Sequence, residues 1–387
     1  MTNNKDKKVL NVLNLRFPEF TGEWKKCIIG ELTIKVGSGV TPRGGETVYK
    51  SEGHPFVRSQ NVGLGHLILD DIAYIDEDTH QRQKNTELQL DDVLLNITGA
   101  SIGRSALVNQ QIVGGNVNQH VCIIRANKKL IPSFLCNFLL SQYGQKQIES
   151  FQAGGNRQGL NFEQIKSIKI GLPSVEEQKK IADLLLLIEQ RITTQNKIIE
   201  KLQSLIKGIA QHCIKESTSG NAYVKLGDIC QITTGKLDAN AKVDNGIYPF
   251  FTCAERPFKI DSFAFDTEAL LISGNGANLG YINYYNGKFN AYQRTYVLDI
   301  FSENIQYIKW ALKVLLPKRI AIEKSSSNTP YIVLSTLSNL RLPIPNKSNQ
   351  CHIAKLMQSL ERKLSSQIAL NGFYNKLKQY LLRQMFI

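Results

Sequence analysis

The amino-acid sequence predicts an α+β protein in which two similar mixed α/β domains are separated by two long helices forming an antiparallel coiled coil. The prediction rests on a repeat with a period of 172 residues and on a heptad pattern that follows each copy. A solenoid unit spans only tens of residues, so each copy must hold a whole domain and a helix. The predicted boundaries are 1–172 for the first domain, 173–216 for the central helix, 217–345 for the second domain and 346–387 for the C-terminal helix.

The repeat is clearest where each domain ends in a strand-like segment and a proline. The segment IKIGLP at 168–173 recurs as LRLPIP at 340–345, and the same Gln, Ile and Ala follow both copies at 178, 181 and 182 and at 350, 353 and 354. Earlier shared segments are WKKCIIGEL and YVKLGDI at 24–32 and 223–229, and GASIG and GANLG at 99–103 and 276–280. The copies differ widely between these segments, which predicts one scaffold with two different surfaces.

A heptad pattern after Pro173 predicts the first long helix. Apolar residues recur in alternating steps of four and three as far as Cys213. A pattern sustained for about five heptads is typical of a coiled coil. The predicted seam contains Ile181, Leu185, Ile188, Ile192, Gln195, Ile199, Leu202 and Ile206.

The second helix has a less regular pattern. Its seam begins with Ile353, Met357, Leu360, Leu364 and Gln367. Beyond Gln367 the same register continues through Asn371, Tyr374, Lys378, Leu381 and Met385, whereas a register shift would bring in Phe373, Leu377 and Tyr380. Neither helix can bury its stripe alone, so the two are expected to pack together, with Gln195 opposite Gln367 if the pairing is pseudo-twofold. Two core helices inside one large domain are the alternative.

Composition indicates a cytoplasmic globular protein. The 387 residues are 42% hydrophobic, and the longest apolar run, 184–188, is too short to span a bilayer. The N-terminus has no apolar signal core, so neither export nor membrane attachment is expected. The seven cysteines are scattered and never form a Cys-x-x-Cys pair, which predicts reduced, mostly buried thiols and no zinc site.

The charge favours an anionic partner. The formal net charge is +14, which makes nucleic acid the first candidate, although a generally basic soluble protein is the alternative. The charge is unequally shared between the helices: 174–216 carries seven Lys or Arg and six Asp or Glu, whereas 346–387 carries seven and one. The C-terminal helix is therefore expected to lie nearer DNA or an acidic protein surface, through Lys376, Lys378 and Arg383.

Motifs of catalysis and nucleotide binding are absent from the sequence. Gly235-Lys236 lacks the rest of a phosphate-binding loop, and the glycines of 273–280 are better explained by a tight turn than by a dinucleotide site. The Glu-x-Lys sequences at 23–25 and 361–363 are more typical of solvated surface than of a nuclease centre. The sequence thus predicts no catalytic residue and no metal ligand on this chain.

Side chains suited to base contacts are plentiful in the predicted loops. Arginine can form two hydrogen bonds with guanine, and asparagine or glutamine can do so with adenine. The DNA-binding candidates in the first domain are Arg43, Arg58, Gln60, Asn61, Arg104, Asn118, Gln119, Arg157 and Gln158. Those in the second domain are Lys236, Asn240, Arg256, Asn275, Asn278, Arg294, Asn328 and Tyr331. Any one of them alone is more often a surface or turn residue, so the prediction lies in the ensemble.

The twice-occurring proline, Gln-x-x-Ile-Ala and heptad helix closely resemble the specificity subunits of type I restriction-modification systems. The segments LRFPEFTGEW at 15–24, VGSGVTP at 36–42 and QGLN at 158–161 also resemble that family. The resemblance implies two target recognition domains that each bind one part of a bipartite, asymmetric site in double-stranded DNA. The two helices would set the spacer and dock two methyltransferase (M) subunits, and restriction/translocase (R) subunits would join them.

The resemblance also implies that S-adenosylmethionine, ATP and magnesium are bound by the partner subunits, with no cofactor on this chain. One departure is that Glu177, before the repeated Gln178, is replaced by Asn349 in the second copy. If Glu177 caps the first helix, the second must begin differently. Two competing hypotheses are a coiled-coil assembly scaffold with protein-binding globular ends, and an enzyme that carries its own methyltransferase or nuclease centre.

Overall fold

The computed structural model describes residues 15–152, 159–217, 220, 222–324 and 331–387. The chain forms two compact units. Unit 1 comprises 1–196 and 370–387, and unit 2 comprises 197–369. Each unit therefore contains one sheet-rich domain and part of each long helix. Within the described ranges, no helix is long and apolar enough to cross a membrane.

The secondary-structure elements follow the order that the repeat predicts. The first domain contains strands β1 Lys25–Ile28, β2 Thr33–Ser38, β3 His54–Val57, β4 Ala73–Ile75, β5 Val93–Asn96, β6 Ser105–Leu107, β7 Asn116–Val117, β8 Val121–Ala126 and β9 Lys169–Leu172. Its helices are α1 Glu77–Arg82, α2 Pro132–Leu140, α3 Gln142–Ser150 and α4 Phe162–Ser167, and the long helix α5 Val175–Glu216 follows. The second domain contains β10 Tyr223–Lys225, β11 Gln231–Thr234, β12 Tyr248–Phe251, β13 Phe258–Ile260, β14 Phe265–Ser273, β15 Ile282–Ala291, β16 Thr295–Asp299 and β17 Arg341–Pro343. Its helices are α6 Ile305–Lys324 and α7 Leu334–Ser338, and the long helix α8 Lys347–Gln384 follows.

The two domains share one sheet topology. In the second domain a six-stranded sheet has the order β11-β16-β14-β15-β12-β13. The first domain has β2-β8-β5-β6 and β4-β3-β7, which is the same order once β6 and β7 together take the place of β15. One parallel strand pairing is also shared, between β3 and β7 and between β12 and β15, while the other pairings among the described strands are antiparallel. The six-stranded sheet and the three-stranded sheet are therefore mixed, and the four-stranded sheet is antiparallel.

A two-stranded antiparallel ribbon closes the base of each domain. Strand β1 pairs with β9 in the first domain, and β10 pairs with β17 in the second. The second strand of each ribbon leads through a proline into a long helix. The helices begin at Val175 and Lys347, which are 172 residues apart, as the repeat predicts.

Both long helices begin with the same kind of cap. The Ser174 hydroxyl accepts a hydrogen bond from the Glu177 backbone N–H at 3.2 Å, and the Asn346 side chain accepts one from the Asn349 N–H at 2.9 Å. The Glu177 carboxylate does not cap the helix. It is 2% exposed and accepts two hydrogen bonds of 2.7 Å from the Arg16 guanidinium. The two helices thus start alike despite the change from Glu to Asn.

The repeated glutamine anchors each long helix to its own domain. Gln178, fully buried, donates to the Lys129 and Pro173 carbonyls at 3.0 Å and accepts from the Ile131 N–H at 2.8 Å, just before α2. Gln350, 1% exposed, donates to the Pro345 carbonyl at 2.8 Å and accepts from the N–H before α6 at 3.0 Å. One amide therefore joins the proline turn to the start of a second helix in both copies.

The seam residues are buried at the ends of the helices. In unit 1, four residues at the start of α5 share a core with the last turn of α8 and the residues just after it: Ile181, Leu185, Ile188 and Ile192 with Leu381, Leu382, Met385 and Phe386. In unit 2, Ile206 and Ala210 near the end of α5 pack with Met357 near the start of α8. The two helices therefore run antiparallel. Gln195 is also buried, and the remaining predicted seam positions, namely Ile199, Leu202, Ile353, Leu360, Leu364 and Gln367, are half-buried.

The seam of α8 keeps its register beyond Gln367. Of the three residues that a register shift would bury, Phe373 and Tyr380 are 58% and 51% exposed, and Leu377 is half-buried against the first core. Asn371 and Lys378 take the seam positions instead, and the Asn371 amide donates to the Asn196 side chain at 2.9 Å. The pairing of Gln195 with Gln367 stays a prediction.

A repeated glutamate forms ion pairs in both helices. Glu189 on α5 accepts from Lys378 Nζ at 2.5 Å, and Glu361, 172 residues later on α8, accepts from Lys309 at 2.7 Å and Lys313 at 3.1 Å. Lys378 is 9% exposed and also donates to the Leu64 carbonyl at 3.1 Å, so it is a structural residue and not the free surface cation that the sequence suggested. In the segment 361–363, which the sequence predicts to be solvated surface, Arg362 and Lys363 are exposed and the paired Glu361 is half-buried.

The cysteines are less buried than the sequence predicts. Three are buried, three are half-buried and Cys351 is exposed, and all seven are free thiols. Burial raises the pKa of Cys122 to about 12, of Cys136 to about 11 and of Cys230 to about 12, so these thiols stay protonated at neutral pH.

Replacing Gln178 with Ala is expected to lower the free energy of unfolding by about 2–4 kcal/mol. The change leaves the Ile131 N–H and the Lys129 carbonyl without a hydrogen-bond partner, and each unpaired buried group costs about 1–3 kcal/mol. Urea denaturation measures the change. The matched control is Gln190→Ala at an exposed position of the same helix. Equal stability of the two variants would contradict the anchoring role.

The Glu189 ion pair is expected to make stability depend on pH. Burial alone would raise the pKa of Glu189, but hydrogen bonds from His66 and Lys378 and their charges lower it below its ordinary value of 4.5. Because the pKa of Glu189 is lower in the folded state than in the unfolded state, its carboxylate contributes its full stabilisation above pH 4.5. This stabilisation is lost as the pH falls through the folded-state pKa. The destabilisation by Glu189→Gln should therefore be constant above pH 4.5 and shrink below it. Unfolding curves that stay equally separated at every pH would refute this, with exposed Glu200→Gln as the control.

Candidate nucleic-acid interface

Four loops meet in the first domain and form what we term the first loop cluster, residues 39–43, 58–61, 97–104 and 118–120. The backbone N–H of Ile97 donates to the His120 carbonyl at 3.0 Å, and that of Asn118 donates to the Val57 carbonyl at 3.0 Å. The Asn96 amide donates to the Ser59 carbonyl at 2.8 Å. Hydrogen bonds thus hold the loops after β3, β5 and β7 against one another.

The second loop cluster consists of residues 235–240, 252–256, 274–281, 292–294 and 331–332. The Gly274 N–H donates to the Arg294 carbonyl at 2.8 Å, and the Tyr292 N–H donates to the Phe251 carbonyl at 2.9 Å. The Asn278 amide donates to the Cys253 carbonyl at 3.0 Å. These bonds join the loops of the second domain in the same pattern.

A glycine allows the first loop of each cluster to lie directly against a strand. A Cβ atom on Gly39 would be 1.7 Å from the Val117 carbonyl oxygen, and one on Gly235 would be 1.9 Å from the Ala291 carbonyl oxygen. Both distances are impossible for a real side chain, so only glycine permits this approach. The two clusters are therefore built on one backbone design.

Two glycines shape the third loop in both clusters. Gly99 and Gly103 have φ values of 72° and 85°, and the matching Gly276 and Gly280 have 79° and 82°. This left-handed region favours glycine. The segments GASIG and GANLG are therefore tight turns, as the sequence predicts.

About half of the sequence-predicted DNA-binding candidates have exposed side chains within these clusters. Those in the first cluster are Arg43, Gln60, Arg104 and Gln119. Those in the second cluster are Lys236, Asn240, Arg256, Arg294 and Tyr331. The structure thus brings loops that are scattered along the sequence together in each domain, and these candidates are exposed on them.

Several other candidates instead form hydrogen bonds with protein groups of their own loop or of a neighbouring loop. In the first domain Asn61 is 1% exposed and donates to the Ile68 carbonyl, and Asn118 is 7% exposed and accepts from the His120 N–H. Arg58 donates to the Asp71 carboxylate at 3.1 Å. In the second domain Asn275 accepts from the Cys253 thiol, and Asn278 donates to the Cys253 carbonyl. The candidates Arg157, Gln158 and Asn328 lie outside the described residues.

A half-buried tyrosine holds the last segment of the second cluster. The Tyr296 hydroxyl donates to the Ile332 carbonyl at 2.9 Å, and burial raises the Tyr296 pKa. The hydroxyl therefore stays protonated at neutral pH and keeps this bond, which places the exposed Tyr331 beside Gly274 and its neighbours.

Sequence reasoning missed two residues of these clusters, His120 and Gln293. The half-buried His120 follows the exposed Gln119, and the exposed Gln293 precedes Arg294. The sequence already aligns NVNQ at 116–119 with NAYQ at 290–293, and extending this alignment by one residue pairs Gln119 with Gln293 and His120 with Arg294.

Among the described residues, no group of three His, Cys, Asp or Glu side chains could hold a metal ion.

Known proteins match this chain over both domains. The family model for the type I restriction modification DNA specificity domain matches residues 21–204 and 218–370. The chain is 41% identical over 143 residues to the EcoDI type I restriction enzyme specificity subunit of Escherichia coli, which covers 37% of this chain and 32% of that protein. It is 24% identical over 210 residues to the MjaVIII specificity subunit of Methanocaldococcus jannaschii, covering 48% and 47%. These alignments span a third to half of the relatives' own length.

A solved structure has the same fold over nearly the whole length. The S subunit of a type I restriction-modification system from M. genitalium superposes with a TM-score of 0.65 at 18% identity, covering 97% of this chain and 99% of that one. The duplicated sheet topology and the family match over both domains lead to one conclusion: the chain belongs to the type I restriction-modification DNA specificity family.

Proposed function

We propose that this chain is the non-catalytic specificity subunit of a type I restriction-modification complex and binds a bipartite, asymmetric site in double-stranded DNA. The supporting observation is that one chain carries the same loop cluster twice with different exposed side chains. Two loop clusters with the same backbone and different exposed side chains suit a DNA site whose two halves have the same geometry and different base sequences. The proposed recognition domains are 1–172 and 217–345, with the helices 173–216 and 346–387 as the spacer.

The exposed side chains of the clusters have the chemistry that DNA requires. Arg104 in the first cluster and Arg256 and Arg294 in the second can form paired hydrogen bonds with guanine or contact phosphates. Gln119 offers an exposed amide that suits adenine, whereas the Gln60 amide already donates to the Asp71 carboxylate at 2.5 Å. The net charge of +14 would draw the chain to the phosphate backbone.

The outer faces of the long helices favour the docking of partner proteins. In unit 1 the exposed apolar residues include Leu187 on α5 at 59% and Phe373 and Tyr380 on α8. In unit 2 they include Leu205 on α5 at 52% and Ile368 on α8 at 49%. Exposed apolar side chains on paired helices mark interaction surfaces, and one such face in each unit suits two methyltransferase subunits.

The remaining chemistry would belong to the partner subunits. The methyltransferase subunits would bring S-adenosylmethionine, and restriction/translocase subunits would bring ATP and magnesium. The complex would act in the cytoplasm, with this chain supplying sequence choice and geometry. The competing hypothesis of a coiled-coil assembly scaffold shares the apolar helix faces but requires no DNA contact.

The full chain is expected to bind duplex DNA with an affinity that falls steeply as salt rises, because phosphate contacts release counterions. Arg104→Ala and Arg256→Ala should each cost about 1–3 kcal/mol of binding free energy on the preferred site. Fluorescence anisotropy with labelled duplexes at several salt concentrations measures both effects. Arg82→Ala, exposed on α1 outside the cluster, is the matched control. Binding that ignored salt and both cluster variants would favour the scaffold.

Charge reversal on the exposed face of α8 is expected to weaken docking of a methyltransferase subunit. Lys376 and Arg383 are exposed and line a shallow groove with Tyr380, whereas the buried Lys378 must be left intact. The double variant Lys376→Glu, Arg383→Glu should retain less methyltransferase subunit in pull-downs and support less methyl transfer to DNA. The wild-type chain alone should transfer none.

The control for this docking test changes the net charge by the same amount elsewhere. Lys128→Glu with Lys146→Glu reverses two exposed lysines of the first domain, outside the long helices. Equal retention of the partner by both double variants would show that the α8 face takes no part in docking.

A further inference from the structure

The internal duplication allows the two loop clusters to be matched residue by residue. The bond from the Ile97 N–H to the His120 carbonyl corresponds to the bond from the Gly274 N–H to the Arg294 carbonyl, at 3.0 and 2.8 Å. The bonds that join the β3 and β12 loops to their neighbours correspond as well. His120 and Arg294 therefore occupy the same position in the two domains.

The residue before this position is the same in both copies. Gln119 and Gln293 are both exposed glutamines at the same point of the fourth loop. The next residue differs in size, charge and number of hydrogen-bonding atoms. A shared backbone arrangement that carries a different side chain in each copy is what a specificity-determining position requires.

The two side chains present different hydrogen-bonding groups. Arg294 is exposed and carries a guanidinium fork that can form two hydrogen bonds with guanine O6 and N7. His120 is half-buried, and its Nδ1 lies 2.6 Å from the Thr98 hydroxyl. Because Nδ1 is thus occupied, only Nε2 is left for a base, and its contact with the Gln119 amide at 3.4 Å is weak enough for a base to replace.

We infer that residues 120 and 294 are corresponding specificity positions in the two recognition domains. Arg294 selects guanine at one position of the second half-site through two hydrogen bonds. His120, positioned by Thr98, contacts the corresponding position of the first half-site through one hydrogen bond and selects a different base. This inference rests on the proposed function and names the residues that make the two halves of the site unequal.

The test is selection of bound duplexes from a randomised DNA pool by the full chain, in complex with the methyltransferase subunits that co-purify with it. Arg294→His should lower the preference for guanine at one position of the second half-site by about 5- to 150-fold, the value of one bidentate contact. His120→Arg should create a guanine preference at the corresponding position of the first half-site. In each variant the half-site of the unchanged domain serves as the internal control for folding.

The same substitutions made outside the clusters show whether an effect on base preference depends on the position or only on the exchange of His and Arg. His212→Arg on α5 and Arg341→His on β17 make the same exchanges at exposed sites and should leave both half-sites unchanged. If Arg294→His loses both half-sites through misfolding, Arg294→Lys keeps the charge and removes the fork, and guanine preference should then fall while the first half-site is retained.

The outcomes distinguish this inference from the proposed function. If the wild-type chain selects a bipartite site but His120→Arg and Arg294→Lys leave both base preferences unchanged, the inference is overturned and the proposed function stands. If the wild-type complex selects no site at all, both fall. A changed base at a single position of the expected half-site supports the inference.

Discussion

The antiparallel packing of α5 against α8 is the constraint on which the rest of the structure depends. The two helices do not form a separate domain, because their ends are part of the hydrophobic cores of the sheet-rich domains. In the first core, Leu185 of α5 and Leu382 of α8 lie in one cluster with Phe134 of α2. The helices and domains therefore form joint cores, and neither is a separate body with a linker.

Polar side chains determine the register in which α5 packs against α8. The buried Gln178 and Gln350 bind the proline turns to the starts of α2 and α6, where the exact placement of backbone groups matters. Glu189 holds Lys378 in the seam, where an apolar residue would fit several registers equally well. A buried polar pair that is satisfied in only one arrangement favours that arrangement over its neighbours. The less regular seam of α8 thus gains register from the polar residues that interrupt it.

The fold was largely predictable from sequence because its periods are strong. Identical offsets between Pro173 and Pro345 and between the two glutamines fixed the helix starts, and sustained heptads fixed the seam. The loop surfaces were less predictable, since periodicity does not tell an exposed Arg104 from a buried Asn61. The role of Lys378 was missed for a similar reason. A cation in a heptad position is seen as structural only when its glutamate on the other helix is known.

The paired ribbons at the base of each domain have a consequence for how such a chain can change over time. Because β1 lies beside β9 and β10 beside β17, the chain enters and leaves each domain at one place. Insertions between the ribbon strands need not move the helices. The first domain already shows this, since residues 108–115 interrupt a path that β15 follows without a break in the second. New surfaces can therefore arise by loop insertion or by exchange of the whole segment above a ribbon, while the start of each long helix stays the same.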